Sequence, residues 1–201
     1  MMPKHLLVVL SAFLVALSPS ILRASPKDPP PSPGGSPPSG AQPSTEARPA
    51  PPETNTQKMR ALIAANKGKI VIVNVFASWC ESCRAELPDL DSLGKKHPSV
   101  VIVGIDVDEK KEDMIPFLPL VPTRIQTVWH KSGVAPLLPA FALPKDWNES
   151  MPDGWAATVP LTFVYNKKGR FETGSVGRLS PEALAAIEEI AGPQVTRSDP
   201  K

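Results

Sequence analysis

The chain of 201 residues contains two cysteines, Cys80 and Cys83, which lie three positions apart. With no third cysteine, neither can join a disulfide framework that links distant parts of the chain. Such a pair can exchange disulfides, bind zinc or copper, or close a short structural bridge. His97 and His130 do not form a compact ligand motif with the pair, and a bridge across so short a loop stabilises little. The residues therefore favour redox chemistry, and neither a metal nor a cofactor is expected.

The cysteine pair stands where a predicted strand gives way to a predicted helix. Residues 70–76 form a nearly continuous β-branched run, which is typical of a strand buried on both faces. Residues 83–96 carry leucines at helical spacing. Near a helix start, free backbone N–H groups and the helix dipole stabilise a thiolate, the form that attacks disulfides. Cys80 is therefore the candidate nucleophile, and Cys83 is the candidate resolving thiol.

The rest of the folded part alternates strands and helices, which predicts an α/β fold with a central sheet flanked by helices. Strands are predicted at 70–76, 99–105, 123–129, 161–165 and 170–176, and helices at 57–66, 83–96, 109–118 and 181–191. Residues 119–157 are rich in proline, and we expect an insertion there with short elements of its own. Trp147 and Trp155 in this insertion are expected to pack onto the domain.

The two ends of the chain differ in composition from the folded part. Residues 1–24 contain a basic start and an apolar run of about 12 residues, as in a signal peptide, with an uncleaved membrane anchor as the alternative. Residues 25–56 hold many of the 26 prolines and are predicted to be a disordered linker. The domain is expected at 57–193 and a flexible tail at 194–201. The net charge of +2 gives no indication of nucleic acid binding.

Two segments carry a resemblance to a known family. Residues 73–88 read Val-Asn-Val-Phe-Ala-Ser-Trp-Cys-Glu-Ser-Cys-Arg-Ala-Glu-Leu-Pro, which resembles the active-site stretch of TlpA/ResA-like thiol-disulfide oxidoreductases, in the redoxin-like branch of the thioredoxin superfamily. Residues 158–164 read Thr-Val-Pro-Leu-Thr-Phe-Val and are similar to that family's cis-proline segment. The resemblance implies a thioredoxin-like fold with a mixed sheet, and a soluble or tethered periplasmic reductant for cytochrome c maturation, copper-site assembly or related thiol chemistry.

The resemblance also implies roles for residues beside the cysteines. Glu86 matches the family's buried glutamate and lies three residues after Cys83, where a helix would let it exchange protons with a thiol. Pro160 would be cis, and the backbone of Val159 would offer hydrogen bonds to an extended substrate. Trp79 is expected to pack over the motif and to modulate access.

The direction of electron flow stays open at this point. The Glu81-Ser82 dipeptide differs from the commoner proline-containing pairs, and this dipeptide helps to set the reduction potential. The preferred function is reduction of disulfides in exported proteins, with a membrane-bound electron donor as the second partner. An oxidase or isomerase of folding proteins is one alternative, and a copper-binding chaperone module is the other.

Overall fold

A computed structural model describes residues 48–192 of the chain. The predicted signal peptide or anchor at 1–24, most of the predicted linker, and the predicted tail at 194–201 lie outside the described residues. Among the helices of residues 48–192, none has both the length and the apolar character that a membrane span requires.

A five-stranded mixed sheet forms the centre of the domain, with the strand order β3-β2-β1-β4-β5. The strands are β1 (Val71–Phe76), β2 (Val101–Asp106), β3 (Ile125–Trp129), β4 (Leu161–Tyr165) and β5 (Phe171–Val176). β1, β2 and β3 run parallel, whereas β4 is antiparallel to β1 and β5 is antiparallel to β4. All six residues of β1 are buried, as expected for a β-branched strand covered on both faces. The predicted α/β fold with a mixed central sheet is confirmed.

Helices cover both faces of the sheet. They are α1 (Thr56–Ala65), α2 (Glu81–Lys96), α3 (Lys111–Met114), α4 (Leu138–Phe141), α5 (Lys145–Ser150) and α6 (Pro181–Ala191), with 3₁₀ turns at Leu118–Leu120, Ala135–Leu137 and Trp155–Ala157. Side chains alternate between the two faces of a strand, so Ile72 packs with α2 and α6, while Val71 and Val73 pack with α1 and α4. The two apolar layers hold the sheet between them, and the cysteines belong to the layer that contains α2 and α6.

The helix predicted at 109–118 is wrong in extent. α3 has four residues, and the chain continues as the 3₁₀ turn at Leu118–Leu120. Pro116 has no N–H group to donate to the carbonyl of Glu112, and a helix cannot keep its regular hydrogen bonds through that position.

The last part of the predicted linker packs onto the domain. The N–H of Trp129 donates to the carbonyl of Pro52 at 3.0 Å, and the N–H of Thr54 donates to the carbonyl of Trp129 at 2.8 Å. Thr54 is 5% exposed. Main-chain hydrogen bonds thus attach this segment to the end of β3, and the domain begins before residue 57.

The prediction that Trp147 and Trp155 pack onto the domain is confirmed. Their rings meet edge to face at 5.4 Å, and Trp147 also meets the rings of Phe163 and Phe171 at 6.0 and 5.2 Å. The strand predicted at 123–129 belongs to the central sheet as β3, so the additional short elements lie between β3 and β4. Aromatic contacts hold these elements against β4 and β5.

Replacing Trp147 with alanine is expected to lower the free energy of unfolding by about 2 kcal/mol, because a half-buried indole loses its aromatic contacts. Urea denaturation followed by circular dichroism measures the change. Asn148→Ala, at the exposed neighbouring position of α5, is the matched control and should stay within about 0.5 kcal/mol of the unmodified protein. Equal midpoints for the two variants would show that Trp147 does not hold α5 in place.

Candidate active site

Cys80 and Cys83 form a disulfide at the beginning of α2. Their sulfur atoms are 2.02 Å apart, and their Cα atoms are 5.2 Å apart. The helix begins at Glu81, so Cys80 is its N-cap residue. The N–H of Cys83 donates to the Sγ atom of Cys80 at 3.1 Å. A sulfur atom in this position receives a backbone N–H and the positive end of the helix dipole, and both stabilise its thiolate once the disulfide is reduced.

The two cysteines differ in their access to solvent. Cys80 is 5% exposed and Cys83 is 1% exposed. The hydroxyl of Ser82 lies 3.4 Å from the Sγ atom of Cys80, so this sulfur has a polar neighbour as well as the helix N–H. Cys80 is thus slightly more accessible to an approaching partner than Cys83.

Glu86 is a buried carboxyl group held by three hydrogen bonds. It is 1% exposed. Its Oε1 atom accepts from the amide of Asn74 at 2.8 Å and from the hydroxyl of Thr162 at 3.3 Å, and its Oε2 atom accepts from the N–H of Leu179 at 3.0 Å. Burial raises the pKa of Glu86, and its effect exceeds the opposing effect of the three hydrogen bonds. Glu86 therefore binds a proton more readily than a surface glutamate does.

Glu86 and Cys83 share one face of α2, since residues three apart in a helix are neighbours. Leu179, which donates its N–H to Glu86, packs in the same apolar cluster as both cysteines. The carboxyl group thus faces the interior on the cysteine side of the sheet. A group in this position can accept a proton from a thiol during exchange.

The bond between Val159 and Pro160 is cis, as the resemblance implied. Pro160 is buried and directly precedes β4, whose first residue, Leu161, pairs with Val75 of β1. The side chain of Val159 packs against the apolar cluster that contains the two cysteines. The fold therefore brings this distant segment to the end of β1 that leads into the motif.

Trp79 does not pack over the motif, contrary to the expectation. Its side chain is 71% exposed. The chain turns between Ala77 and Cys80, where the N–H of Cys80 donates to the carbonyl of Ala77 at 3.1 Å. This turn directs Trp79 outward, so that the indole lies in solvent next to the disulfide in sequence.

Sequence reasoning missed Asp108, which contacts the turn before the cysteines. Both of its carboxylate oxygens accept the N–H of Ser78, at 3.1 and 3.2 Å. Asp108 follows β2, and the motif follows β1. Because β1 and β2 are parallel neighbours, the segments after them lie at the same edge of the sheet. Asp108 could therefore have been identified from its position directly after a predicted strand that neighbours β1.

A disulfide at the start of the helix that follows a central strand, beside a cis-proline strand, is the arrangement of a thiol-disulfide oxidoreductase. A family model described as Thioredoxin-like matches residues 68–133. The chain is 26% identical over 153 residues to Sporulation thiol-disulfide oxidoreductase A of Bacillus subtilis (strain 168), a match that covers 72% of this chain and 84% of that protein. It is 31% identical over 134 residues to Thiol:disulfide interchange protein CycY of Rhizobium leguminosarum bv. viciae, with 66% of each chain covered.

The chain belongs to the thioredoxin-like family of thiol-disulfide oxidoreductases. A solved structure of a thiol:disulfide interchange protein of the thioredoxin family from Chlorobium tepidum TLS is also similar, with 25% sequence identity and a TM-score of 0.46. That comparison covers 73% of this chain and 97% of the other.

Replacing Glu86 with glutamine removes the charge and nearly keeps the shape. We expect the apparent thiol pKa to fall by about one unit, because a nearby negative charge disfavours a thiolate. We expect resolution of a mixed disulfide to slow by about tenfold, because the proton acceptor is lost. Thiolate absorbance across pH measures the first effect, and stopped-flow exchange with a model disulfide measures the second.

The matched control for this change is Glu189→Gln, at an exposed position of α6, which should alter neither quantity. The melting temperature is measured alongside, because a glutamine amide in place of Oε2 would point N–H groups at the N–H of Leu179. An unchanged titration together with an unchanged exchange rate would rule out a role for Glu86 in proton transfer.

Proposed function

We propose that this chain is an exported reductant of protein disulfides, with Cys80 as the attacking thiol and Cys83 as the resolving thiol. The observation that carries the proposal is the N–H of Cys83 donating to the Sγ atom of Cys80 at 3.1 Å. This contact stabilises negative charge on Cys80, the more exposed of the two cysteines. Cys83 lies three positions further into the first turn, is 1% exposed and is shielded from a large partner.

The exchange proceeds in two substitutions at sulfur. The Cys80 thiolate attacks one sulfur of the substrate disulfide, so that a mixed disulfide forms and the other substrate sulfur leaves with an electron pair and takes up a proton. Cys83 then gives its proton to Glu86 and attacks the Sγ atom of Cys80, releasing the second substrate thiol. Two electrons pass to the substrate, and the protein is left with the Cys80–Cys83 disulfide. A dithiol donor must reduce this disulfide before the next cycle.

Two acidic side chains support the reducing direction. Glu86 is buried on the cysteine side of the sheet, and Glu81 is exposed between the two cysteines in sequence. Negative charge near a thiolate disfavours it and so opposes the effect of the helix dipole. A strong oxidant requires a stabilised reduced form. These carboxyl groups make the thiolate of the reduced form less stable, and the reduced dithiol is therefore a better electron donor.

Two features beside the disulfide suit an extended protein substrate. The backbone of Val159 takes part in no backbone hydrogen bond within residues 48–192, so its N–H and C=O groups are available to a substrate strand. Trp79 presents a 71% exposed indole next to Cys80, and an aromatic ring in that place can cover the substrate residues that flank a disulfide. We propose these two residues as the substrate-binding elements.

The proposed place of action is outside the cytoplasm, in the periplasm or an equivalent compartment. The support is the composition of residues 1–24, which suits a signal peptide or an anchor. Relatives named as thiol:disulfide interchange proteins agree with protein disulfides as substrates. We propose substrates in cytochrome c maturation or copper-site assembly, and a membrane-bound dithiol protein as the electron donor.

The reduction potential of the Cys80–Cys83 couple tests the direction of electron flow. We expect a value nearer to about −270 mV, typical of a thioredoxin, than to about −120 mV, typical of a strong oxidant. Equilibration with glutathione or dithiothreitol mixtures and quantification of both redox forms give the number. A potential above about −180 mV would instead support the oxidase or isomerase alternative.

Single cysteine variants test the two thiol roles. Cys83→Ser is expected to accumulate mixed disulfides with a model protein substrate, because the resolving step is lost, whereas Cys80→Ser should trap at least about tenfold less. Non-reducing gel electrophoresis with mass spectrometry of the trapped peptides measures both. Equal trapping by the two variants would mean that the thiols do not have separate roles.

A further inference from the structure

Asp108 makes a direct contact with the turn that presents the nucleophile. The N–H of Ser78 donates to both carboxylate oxygens of Asp108, at 3.1 and 3.2 Å. Ser78 is two residues before Cys80, and the N–H of Cys80 closes the same turn on the carbonyl of Ala77 at 3.1 Å. Asp108 is 1% exposed, so the acceptor is fixed within the domain and does not come from a mobile surface side chain.

The position of Asp108 is itself determined by contacts from two strands. Its N–H donates to the Oδ1 atom of Asp106, the last residue of β2, at 3.0 Å. Its carbonyl accepts from the Nε1 atom of Trp129, the last residue of β3, at 2.9 Å. Both strands are hydrogen-bonded members of the central sheet. The carboxylate that meets the active-site turn is therefore anchored to the sheet on two sides.

We propose that Asp108 is a positioning residue for Cys80 and holds the turn at 77–80 so that the reduced sulfur stays at the start of α2. In the oxidised protein the covalent bond to Cys83 keeps Cys80 in place. Once this bond is broken, the position of Cys80 depends on non-covalent contacts of the turn that precedes it. The carboxylate of Asp108 supplies such a contact, because it binds a backbone N–H that remains in both redox states.

The neighbouring Asp106 lowers the free-energy cost of burying the carboxylate of Asp108. Asp106 is fully buried, and its Oδ2 atom has no hydrogen-bond partner within residues 48–192. Burial raises the pKa of Asp106 to about 7. Near neutral pH part of Asp106 is therefore protonated, which lowers the negative charge beside Asp108. The N–H of Ser78 then compensates the carboxylate of Asp108.

This role rests on the proposed identity of Cys80 as the attacking thiol, but it does not depend on the direction of electron flow. A turn that holds the sulfur near the N–H of Cys83 stabilises its thiolate in either direction. Without this support, the thiolate is populated less, and the equilibrium with glutathione shifts toward the disulfide.

Asp108→Ala and Asp108→Asn separate the position of the turn from the charge. Asparagine keeps an oxygen that can accept the N–H of Ser78, whereas alanine leaves this N–H without an acceptor. In the reduced full-length chain at neutral pH, Asp108→Ala should slow alkylation of Cys80 by about tenfold and shift the glutathione equilibrium about tenfold toward the disulfide. Asp108→Asn should stay within about twofold of the unmodified protein in both measurements. Peptide mapping by mass spectrometry identifies which cysteine is labelled.

Two further variants control this experiment. Glu112→Gln removes an exposed negative charge from the nearby helix α3 and should change neither readout. Trp129→Phe removes the donor to the carbonyl of Asp108 but keeps the carboxylate, and it should slow alkylation of Cys80 by about threefold. If Asp108→Ala does not fold, Trp129→Phe provides the test. An unchanged rate of Cys80 alkylation in Trp129→Phe would then overturn the proposal.

Equal effects of Asp108→Ala and Asp108→Asn would overturn the proposal, because charge and not position would then be responsible. Unchanged readouts in a folded Asp108→Ala variant would overturn it as well. In both cases Cys80 would still be labelled before Cys83 in the unmodified protein, and the proposed function would stand. If Cys83 is alkylated before Cys80 in the unmodified protein, the assignment of Cys80 as the nucleophile is overturned. The proposed role of Asp108 is then overturned as well.

Discussion

The site depends on the point where β1 ends and α2 begins. A helix start leaves backbone N–H groups without helical partners, and here the N–H of Cys83 meets the sulfur of Cys80. The contact holds only if the helix start is fixed in space. The strand before it, which is buried along its whole length, fixes it to the centre of the sheet. The apolar layers on both faces of β1 therefore serve the chemistry as well as the stability of the domain.

Buried carboxyl groups lie on two sides of this helix start. Glu86 lies inside α2 and is satisfied by groups from β1, β4 and the segment before α6. Asp106 is the last residue of β2 and Asp108 follows it, both at the edge of the sheet. Burying a carboxyl group is unfavourable unless hydrogen bonds compensate, and each of these residues has at least one backbone or side-chain donor. The hydrogen bonds of these carboxyl groups keep the residues around the two sulfur atoms in place. The sulfur atoms themselves change bonding partners in every redox cycle.

The sequence was sufficient where a local pattern decides the structure. The β-branched run of β1 and the leucine spacing of α2 follow from residue type and short spacing, and both elements are present. The cysteine pair was found for the same reason. The end of the predicted helix at 118 was wrong because the effect of Pro116 on the preceding turn was not weighed.

Contacts between distant segments could not be read from local patterns. The packing of Thr54 depends on hydrogen bonds with Trp129, and composition alone favoured a linker there. The outward direction of Trp79 depends on the turn at 77–80 rather than on its apolar character. Asp108 acts through a single N–H group of another segment, and the two segments meet only because β1 and β2 pair in parallel.

The attachment of residues 48–54 to Trp129 closes part of the open edge of the sheet. β1, β2 and β3 are parallel, so the end of β3, where Pro52 and Thr54 are bonded, is at the same edge of the sheet as the disulfide after β1. Arg48 extends this attachment by donating to the carbonyl of Val121 at 2.6 Å. Because Glu53 pairs with Trp129 in parallel, this segment runs alongside the edge strand β3 from Arg48 toward the reactive edge, and it covers backbone groups there that an edge strand would otherwise leave open to pairing with another chain.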